Sequence, residues 1–175
     1  NYNDINSLNR TTILLSYKPL SLLISTNTND YTIKIWNYLN GTLVKTLNGH
    51  SNFINNLIIL NDTSNIFNTK LISSSFDSTI KIWSLSTGSL LLTLNELNNN
   101  IYADSLLLLS NTRLATSLNN GSILIWDINI NKSYNSSRII NKLVDKNINS
   151  KQTLKLLSNG NLLSGSSNGI LNVWN

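Results

Sequence analysis

The chain has 175 residues and a net charge of +5, yet only 12% of its residues are charged and none is cysteine. The absence of cysteine excludes disulfides and thiolate metal sites, and no apolar run approaches the roughly 18 residues of a membrane-spanning helix. The positive residues are scattered, and even the densest stretch, 142–155, is diluted by an aspartate and asparagines. Membrane and nucleic-acid partners are therefore disfavoured. The compartment stays undetermined, with a cytoplasmic or nuclear one favoured.

Short apolar segments separated by turns rich in Asn, Ser and Gly predict a succession of strands. In chain order the predicted strands are 11–16, 20–26, 32–37, 42–47, 54–60, 70–75, 79–84, 89–94, 101–109, 113–117, 122–127, 138–143, 152–157, 162–166 and 170–174. Residues 1–10 are expected to be a loop or the remnant of an outer strand, and 61–69 and 129–137 are expected to be polar loops. No segment has a sustained helical period, so the sequence predicts an all-β fold.

The four tryptophans, which recur at intervals of 43 to 48 residues, mark an internal repeat. Before each tryptophan stand aliphatic residues at one, three and twelve positions, Asp or Asn at six, and Ser or Thr at ten. The tryptophans are Trp36, Trp83, Trp126 and Trp174. One position before them stand Ile35, Ile82, Ile125 and Val173, and three positions before them stand Ile33, Ile80, Ile123 and Leu171. Six positions before them stand Asp30, Asp77, Asn120 and Asn168; at ten positions stand Thr26, Ser73, Thr116 and Ser164; and at twelve positions stand Ile24, Leu71, Leu114 and Leu162. A strand-rich repeat of this length predicts a repeat architecture.

This pattern resembles the WD-repeat (WD40-type) family of β-propellers over nearly the whole chain. The second copy matches best, with Gly49-His50 upstream and Asp77 in the turn before Trp83, whereas only Trp126-Asp127 carries the literal dipeptide. The resemblance implies an all-β propeller with four blades, in repeats of approximately 1–47, 48–94, 95–143 and 144–175. Because the last repeat lacks an outer strand and position 1 is not methionine, we expect a fragment of a larger propeller of about seven blades.

His50, Ser73 and Asp77 allow two interpretations. They could form a catalytic triad, with Ser73 as nucleophile, His50 as base and Asp77 as orienting group. The resemblance instead implies a structural tetrad in which Trp83 is the fourth member. A buried indole N–H needs a hydrogen-bond partner, and a carboxylate in a tight turn needs donors. We favour the tetrad, and His50 is the only histidine in the chain.

The other repeats depart from this tetrad. The histidine column holds Leu97 in the third repeat and Lys146 in the fourth, and no histidine lies around Leu8 in the first. Asparagine replaces aspartate in the last two turns. We therefore expect a complete tetrad in the second blade alone, and less rigid third and fourth blades. No catalytic, metal or cofactor site is predicted, because the chain has no cysteine and one histidine, its carboxylates are few and dispersed, and it has no phosphate-binding glycine loop.

The resemblance implies a non-catalytic scaffold for protein–protein interactions, which presents loops and rim to partner proteins or peptides. One alternative is a propeller segment of a multidomain protein whose activity lies elsewhere. Another is a propeller hydrolase or lyase, which is disfavoured because its central channel would need several histidines or convergent carboxylates. The loop 61–69, which contains Ile66 and Phe67, could contact a partner; a solvated loop with one packed side chain is favoured.

The tetrad hypothesis predicts where the chain is sensitive to mutation. Trp83→Ala and Asp77→Ala should lower the free energy of unfolding more than alanine substitutions within 61–69 do. Truncating a buried aromatic side chain costs about 3–5 kcal/mol, whereas substitutions in an exposed loop cost little. The midpoints of denaturant unfolding measure this difference in stability, and equal midpoints for the two groups of variants would contradict the tetrad hypothesis.

Overall fold

The computed structural model describes residues 13–98, 100–132, 137–144 and 152–175, which form four antiparallel sheets. The strands of the first sheet are β1 (Leu14–Tyr17), β2 (Leu22–Thr26), β3 (Ile33–Asn37) and β4 (Thr42–Leu47). Those of the second are β5 (Ile54–Leu60), β6 (Lys70–Ser75), β7 (Ile80–Ser84) and β8 (Leu90–Leu94). Those of the third are β9 (Ala103–Ser110), β10 (Arg113–Leu118), β11 (Ile123–Asp127) and β12 (Ile139–Leu143). The fourth sheet has β13 (Gln152–Leu156), β14 (Leu162–Ser166) and β15 (Leu171–Trp174).

The sheets are arranged as the blades of a propeller. Within each sheet the strands pair in sequence order, so every blade is a meander. The first strands of neighbouring blades, β5, β9 and β13, lie beside one another, and later strands lie progressively outward. The prediction of an all-β β-propeller with four blades is confirmed. Within the described ranges no helix is long and apolar enough to cross a membrane.

The predicted strands agree with the structure in order, and their ends shift by a few residues. The start of β2 shifts from residue 20 to Leu22, because Lys18–Leu20 form a 3₁₀ turn that places Ser21 in the left-handed region, with φ 53°. Proline fixes φ at the start of this turn and cannot donate to a neighbouring strand. The predicted loop or strand remnant at 1–10 lies outside the described residues.

One turn recurs between the second and third strands of all four blades. The Asp or Asn side chain six residues before tryptophan accepts the backbone N–H two residues further on, at 2.9 to 3.3 Å. The intervening residue has positive φ. The turn residues are Asp30, Asp77, Asn120 and Asn168, followed by Tyr31, Ser78, Gly121 and Gly169. Such side-chain turns tolerate the left-handed conformation and fix the register of the hairpin.

The first blade corrects two columns of the sequence alignment. Its hairpin is one residue longer on the β2 side, so Trp36 pairs with Leu23 rather than standing in register with Ile24. In the second blade Trp83 pairs with Leu71, twelve positions earlier. For the same reason the hydroxyl that corresponds to this column in blade 1 belongs to Ser25, so the prediction of Thr26 at this position is wrong. A count back from tryptophan is valid only where the intervening turn has constant length.

The core consists of apolar clusters between adjacent blades. In blades 1 to 3 the face that carries the residues one and three before tryptophan packs on the next blade, whereas in blades 2 to 4 tryptophan and its cross-strand partner face the previous blade. The junction between blades 1 and 2 contains Ile24, Ile33, Ile35, Leu71 and Trp83; that between blades 2 and 3 contains Ile72, Ile80, Ile82, Leu114 and Trp126; that between blades 3 and 4 contains Ala115, Ile123, Ile125, Leu162 and Trp174. Three junctions therefore hold four blades together in the described part of the chain.

Burial of the junctions predicts a contrast between two aliphatic residues. Ile82→Ala should lower the free energy of unfolding by about 2–5 kcal/mol, because it leaves a cavity at a fully buried site between blades 2 and 3. Leu39→Ala, in the turn between β3 and β4, should change it by less than about 0.5 kcal/mol because Leu39 is 74% exposed. Urea denaturation measures both. Similar losses for the two variants would contradict this assignment of the core.

Candidate functional site

The four predicted tetrad residues are brought together in blade 2. His50 Nδ1 lies 2.7 Å from Asp77 Oδ2, and His50 Nε2 lies 2.8 Å from Ser73 Oγ. The Trp83 indole N–H donates to Ser73 Oγ at 2.9 Å. A carboxylate can only accept, so Nδ1 carries a proton, and in the neutral ring Nε2 accepts the Ser73 hydroxyl. The chain of hydrogen bonds runs from the turn to the tryptophan without interruption.

Asp77 is the acidic residue of this network, and its surroundings shift its pKa strongly. Its side chain is 6% exposed, and burial alone would raise its pKa. Hydrogen bonds from His50, the Thr79 hydroxyl and the Ser51 backbone N–H, together with electrostatic attraction to the His50 ring, outweigh burial and hold the pKa of Asp77 far below its usual range. The carboxylate is therefore stabilised in its ionised form.

The backbone before the histidine lies against the tryptophan. Gly49 has φ 154°, and a Cβ at this position would stand 3.1 Å from Trp83 Cη2. That approach is tighter than an ordinary carbon–carbon contact. Glycine at this position therefore lets the chain lead into His50 directly beside the indole ring.

The hydrogen bonds that join Ser73 to His50 and His50 to Asp77 match those of a hydrolytic triad, but Ser73 is not placed to attack a substrate. Ser73 is fully buried, and its hydroxyl is held by both His50 and Trp83. A nucleophile must reach a substrate carbonyl beside hydrogen-bond donors for the developing charge. In blade 2 the buried indole N–H of Trp83 already donates to Ser73 Oγ at 2.9 Å.

The bond between tryptophan and a hydroxyl occurs in every blade. Trp126 donates to Thr116 Oγ1 at 2.9 Å, Trp174 donates to Ser164 Oγ at 3.0 Å, and Trp36 donates to Ser25 Oγ at 3.0 Å. The histidine is replaced as the sequence indicated: Leu97 packs against the core between blades 2 and 3. Leu8 and Lys146 lie outside the described residues. A smaller unit of tryptophan, hydroxyl and turn is thus common to four blades.

For the loop 61–69, the favoured prediction is a solvated loop with one packed side chain, but the aromatic side chain of this loop is not packed. Its Phe67 is 64% exposed, although the loop itself is ordered by its own side chains. Asn65 accepts the Phe67 backbone N–H at 3.0 Å, and Asp62 Oδ1 accepts the backbone N–H of Ser64 at 2.9 Å. Hydrogen bonds from Ser64 lower the pKa of Asp62. The aromatic ring is therefore presented to solvent by a fixed backbone.

Tyr17 of blade 1 anchors the base of this loop. Its hydroxyl donates to Asn61 Oδ1 at 2.7 Å and lies 3.1 Å from Thr69 Oγ1. Both ends of the loop are thereby joined to the neighbouring blade. These bonds restrict the positions that the ends of the loop can adopt.

A cavity of about 550 Å³, lined mainly by residues with polar side chains, lies where the first strands of blades 2, 3 and 4 meet. Its lining includes Asn56, Asp104 and Gln152. Gln152 is buried and bridges two blades, since its side-chain amide N–H donates to the Gly121 backbone carbonyl and its backbone carbonyl accepts from Ser117 Oγ at 2.6 Å. Sequence analysis missed this residue; its one signal was a glutamine at the start of an inner strand. In the described part of the chain, no group of three or more His, Asp or Glu could hold a metal ion.

The electrostatics of blade 2 predict a specific acid sensitivity. The pKa of Asp77 is lower in the folded than in the unfolded chain, so its ionised form stabilises the fold above about pH 4 and this contribution is lost as the pH falls below that value. Asp77→Asn should be less stable than wild type at neutral pH and should lose less further stability on acidification. Urea midpoints measured from about pH 7 to about pH 3 test this.

Asp30→Asn is the matched control for this experiment. Asp30 occupies the same turn position in blade 1, but its side chain is 48% exposed and no histidine contacts it in the described residues. Water screens its interactions, so this variant should keep nearly the acid sensitivity of wild type. Parallel curves for wild type and Asp77→Asn would overturn the assignment to Asp77.

Comparisons with known proteins agree with this geometry. The model of the WD domain, G-beta repeat (WD40), matches residues 41–84, from the start of β4 to the end of β7. The segment includes His50, Ser73, Asp77 and Trp83. No curated protein sequence matches the chain at a significant level.

Solved structures share the fold of the whole chain. The computationally designed Ika4 protein matches with a TM-score of 0.71 and 23% identity, over 97% of this chain and 93% of that one. The WD40 β-propeller domain of Doa1 matches with a TM-score of 0.71 and 22% identity, over 94% and 51% of the two chains. The C-terminal WD40 domain of Sif2 matches with a TM-score of 0.72 and 20% identity, over 92% and 44%. The chain thus spans about half of the Doa1 and Sif2 chains. Residues 41–84 match the WD40 repeat model, and the chain has the β-propeller fold of these solved structures.

Proposed function

We propose that this chain is a non-catalytic scaffold that binds a protein or peptide partner through the loop 61–69. Protein binding is the general role of WD40 propellers, which are typically non-catalytic. The observation that carries the proposal for this chain is the exposed Phe67 on an ordered loop. The further proposal is that the partner buries this ring.

The energetics of Phe67 favour a contact with a partner. An exposed phenylalanine offers a large apolar area whose burial is favourable, and aromatic side chains are prominent among residues that dominate binding energies. Ordering a mobile loop opposes association, but here Asn65 and Asp62 fix the backbone in advance. The partner should therefore offer an apolar pocket or aromatic surface to Phe67.

We propose a structural role for His50, Ser73, Asp77 and Trp83. Their hydrogen bonds satisfy the polar atoms of a buried cluster, and a satisfied network rigidifies the surrounding structure. This supports a blade that holds the loops at its ends in fixed positions. The burial of Ser73 supports the same role and disfavours hydrolysis.

We propose that the chain forms one propeller segment made of the repeats 1–47, 48–94, 95–143 and 144–175. The four sheets, at 14–47, 54–94, 103–143 and 152–174, support this division. A multidomain protein whose catalytic activity lies elsewhere is compatible with the same scaffold role, because the loop 61–69 would still be available at one end of blade 2.

Selection of peptides from a display library on the immobilised chain tests the proposed binding loop. Affinities of selected peptides should fall about tenfold or more for Phe67→Ala. Phe76→Ala is the control, since Phe76 lies in the turn at the opposite end of blade 2 and is also exposed. Circular dichroism should show that both variants keep the fold. Failure to select any peptide, or affinities that do not depend on Phe67, would refute the proposed contact.

A further inference from the structure

The chain contains five Asn-Gly pairs, and the structure describes all of them: Asn40-Gly41, Asn48-Gly49, Asn120-Gly121, Asn159-Gly160 and Asn168-Gly169. This dipeptide is chemically labile, because the backbone nitrogen of a glycine, which no side chain shields, can attack the side-chain amide carbon of the preceding asparagine. The reaction requires that the nitrogen and the amide are both free to approach each other. The hydrogen bonds of each pair therefore decide how readily it reacts.

Four of the five pairs lie in hairpin turns that hold both reacting groups. In each turn the asparagine Oδ1 accepts the backbone N–H two residues further on, at 3.1 to 3.3 Å. The glycine N–H in turn donates to a backbone carbonyl at 2.9 to 3.0 Å. The asparagines of these turns are Asn40, Asn120, Asn159 and Asn168. To react, each of these pairs must first break its turn.

The pair Asn48-Gly49 is held differently. It lies between β4 of blade 1 and β5 of blade 2, outside the hairpins. Both residues are exposed. Within the described ranges, neither the Asn48 side chain nor the Gly49 N–H makes a hydrogen bond to another residue. No turn therefore has to open before the Gly49 nitrogen can approach the Asn48 amide.

We propose that Asn48 is a site of spontaneous deamidation that Gly49 promotes. The Gly49 nitrogen loses its proton to a solvent base and bonds to Asn48 Cγ, which closes a succinimide ring. The Cγ–Nδ2 bond breaks, and Nδ2 takes a proton from solvent and leaves as ammonia. Water then opens the ring at either of its carbonyl carbons, which leaves aspartate or isoaspartate at position 48. The reaction consumes water and needs no oxidant or reductant.

An isoaspartate at position 48 lies between two tightly packed neighbours. Its main chain runs through the former side chain and is one carbon longer. Leu47, directly before it, is buried in the junction between blades 1 and 2. Gly49, directly after it, lies so close to Trp83 that a Cβ would stand 3.1 Å from the ring. Because close-packed surroundings leave little space for the extra carbon, isoaspartate should displace His50 and weaken the hydrogen bonds of the tetrad.

Mass spectrometry of the 175-residue chain, after incubation in mildly alkaline buffer, tests the proposed site. Asn40 is the matched control, because Leu39-Asn40-Gly41 and Leu47-Asn48-Gly49 share their three residue types and both pairs are exposed. Asn48 should deamidate about tenfold or more faster than Asn40, since the Asn40 pair must first give up its turn hydrogen bonds. In concentrated urea the two should react at similar rates. Equal rates in the folded chain, or a faster reaction at Asn40, would overturn the proposal.

Two variants test the consequence for the tetrad. Asn48→Gln must close a larger ring and reacts slowly, so incubation should leave its urea midpoint unchanged. Incubated wild type should gain a population with a lower midpoint, in proportion to the isoaspartate that an isoaspartate-specific carboxyl methyltransferase detects. Freshly purified Asn48→Asp adds the charge without the extra carbon, and should unfold like fresh wild type because the position is exposed. Equal losses in incubated wild type and Asn48→Gln, or the full loss in fresh Asn48→Asp, would refute the displacement of His50.

Discussion

Each blade is a sheet with two apolar faces, and neither face can be buried within the blade itself. This constraint explains the repeat, because stacking blades side by side covers one face with the next blade and the other with the previous blade. Ile82 and Trp83 are adjacent in β7, yet they belong to different cores on opposite sides of the sheet. The fold therefore depends on contacts between blades more than on contacts within them.

Tryptophan serves two purposes at these junctions. Its ring fills the space against the preceding blade, while its N–H requires an acceptor in a buried setting. A serine or threonine on the neighbouring strand supplies that acceptor in all four blades. In blade 2, His50 and Asp77 add two further hydrogen bonds, so that a network joins the buried Trp83 to the turn that contains Asp77. The result is a rigid frame, and the proposed binding loop is attached to it at Asn61 and Thr69.

The period, the strand order and the residues of the blade-2 network could be predicted from sequence, because each depends on local pattern or on residues at fixed spacing. The register of blade 1 could not, since one extra residue before Asp30 leaves the pattern of side chains almost unchanged while shifting Ser25 into the place of Thr26. The bulges just before Trp36, Trp83 and Trp126, where each pairs with its outer strand, also leave no mark in the sequence. The burial of individual residues could not be predicted from the sequence either. Ile82 and Val173 occupy the same column of the repeat, but Ile82 is buried because blade 3 covers it, whereas Val173 is exposed.

A double-mutant cycle across one junction tests the central claim that adjacent blades share a core. Ile82→Val in blade 2 and Trp126→Phe in blade 3 alter the same cluster, so their effects on the free energy of unfolding should be non-additive by about 0.5 kcal/mol or more. The pair Ile82→Val and Trp36→Phe, which lie in different blades without a common cluster, should be additive within about 0.3–0.5 kcal/mol. Equal additivity of both pairs would contradict the account, because it would mean that the blades are stable independently of the junctions between them.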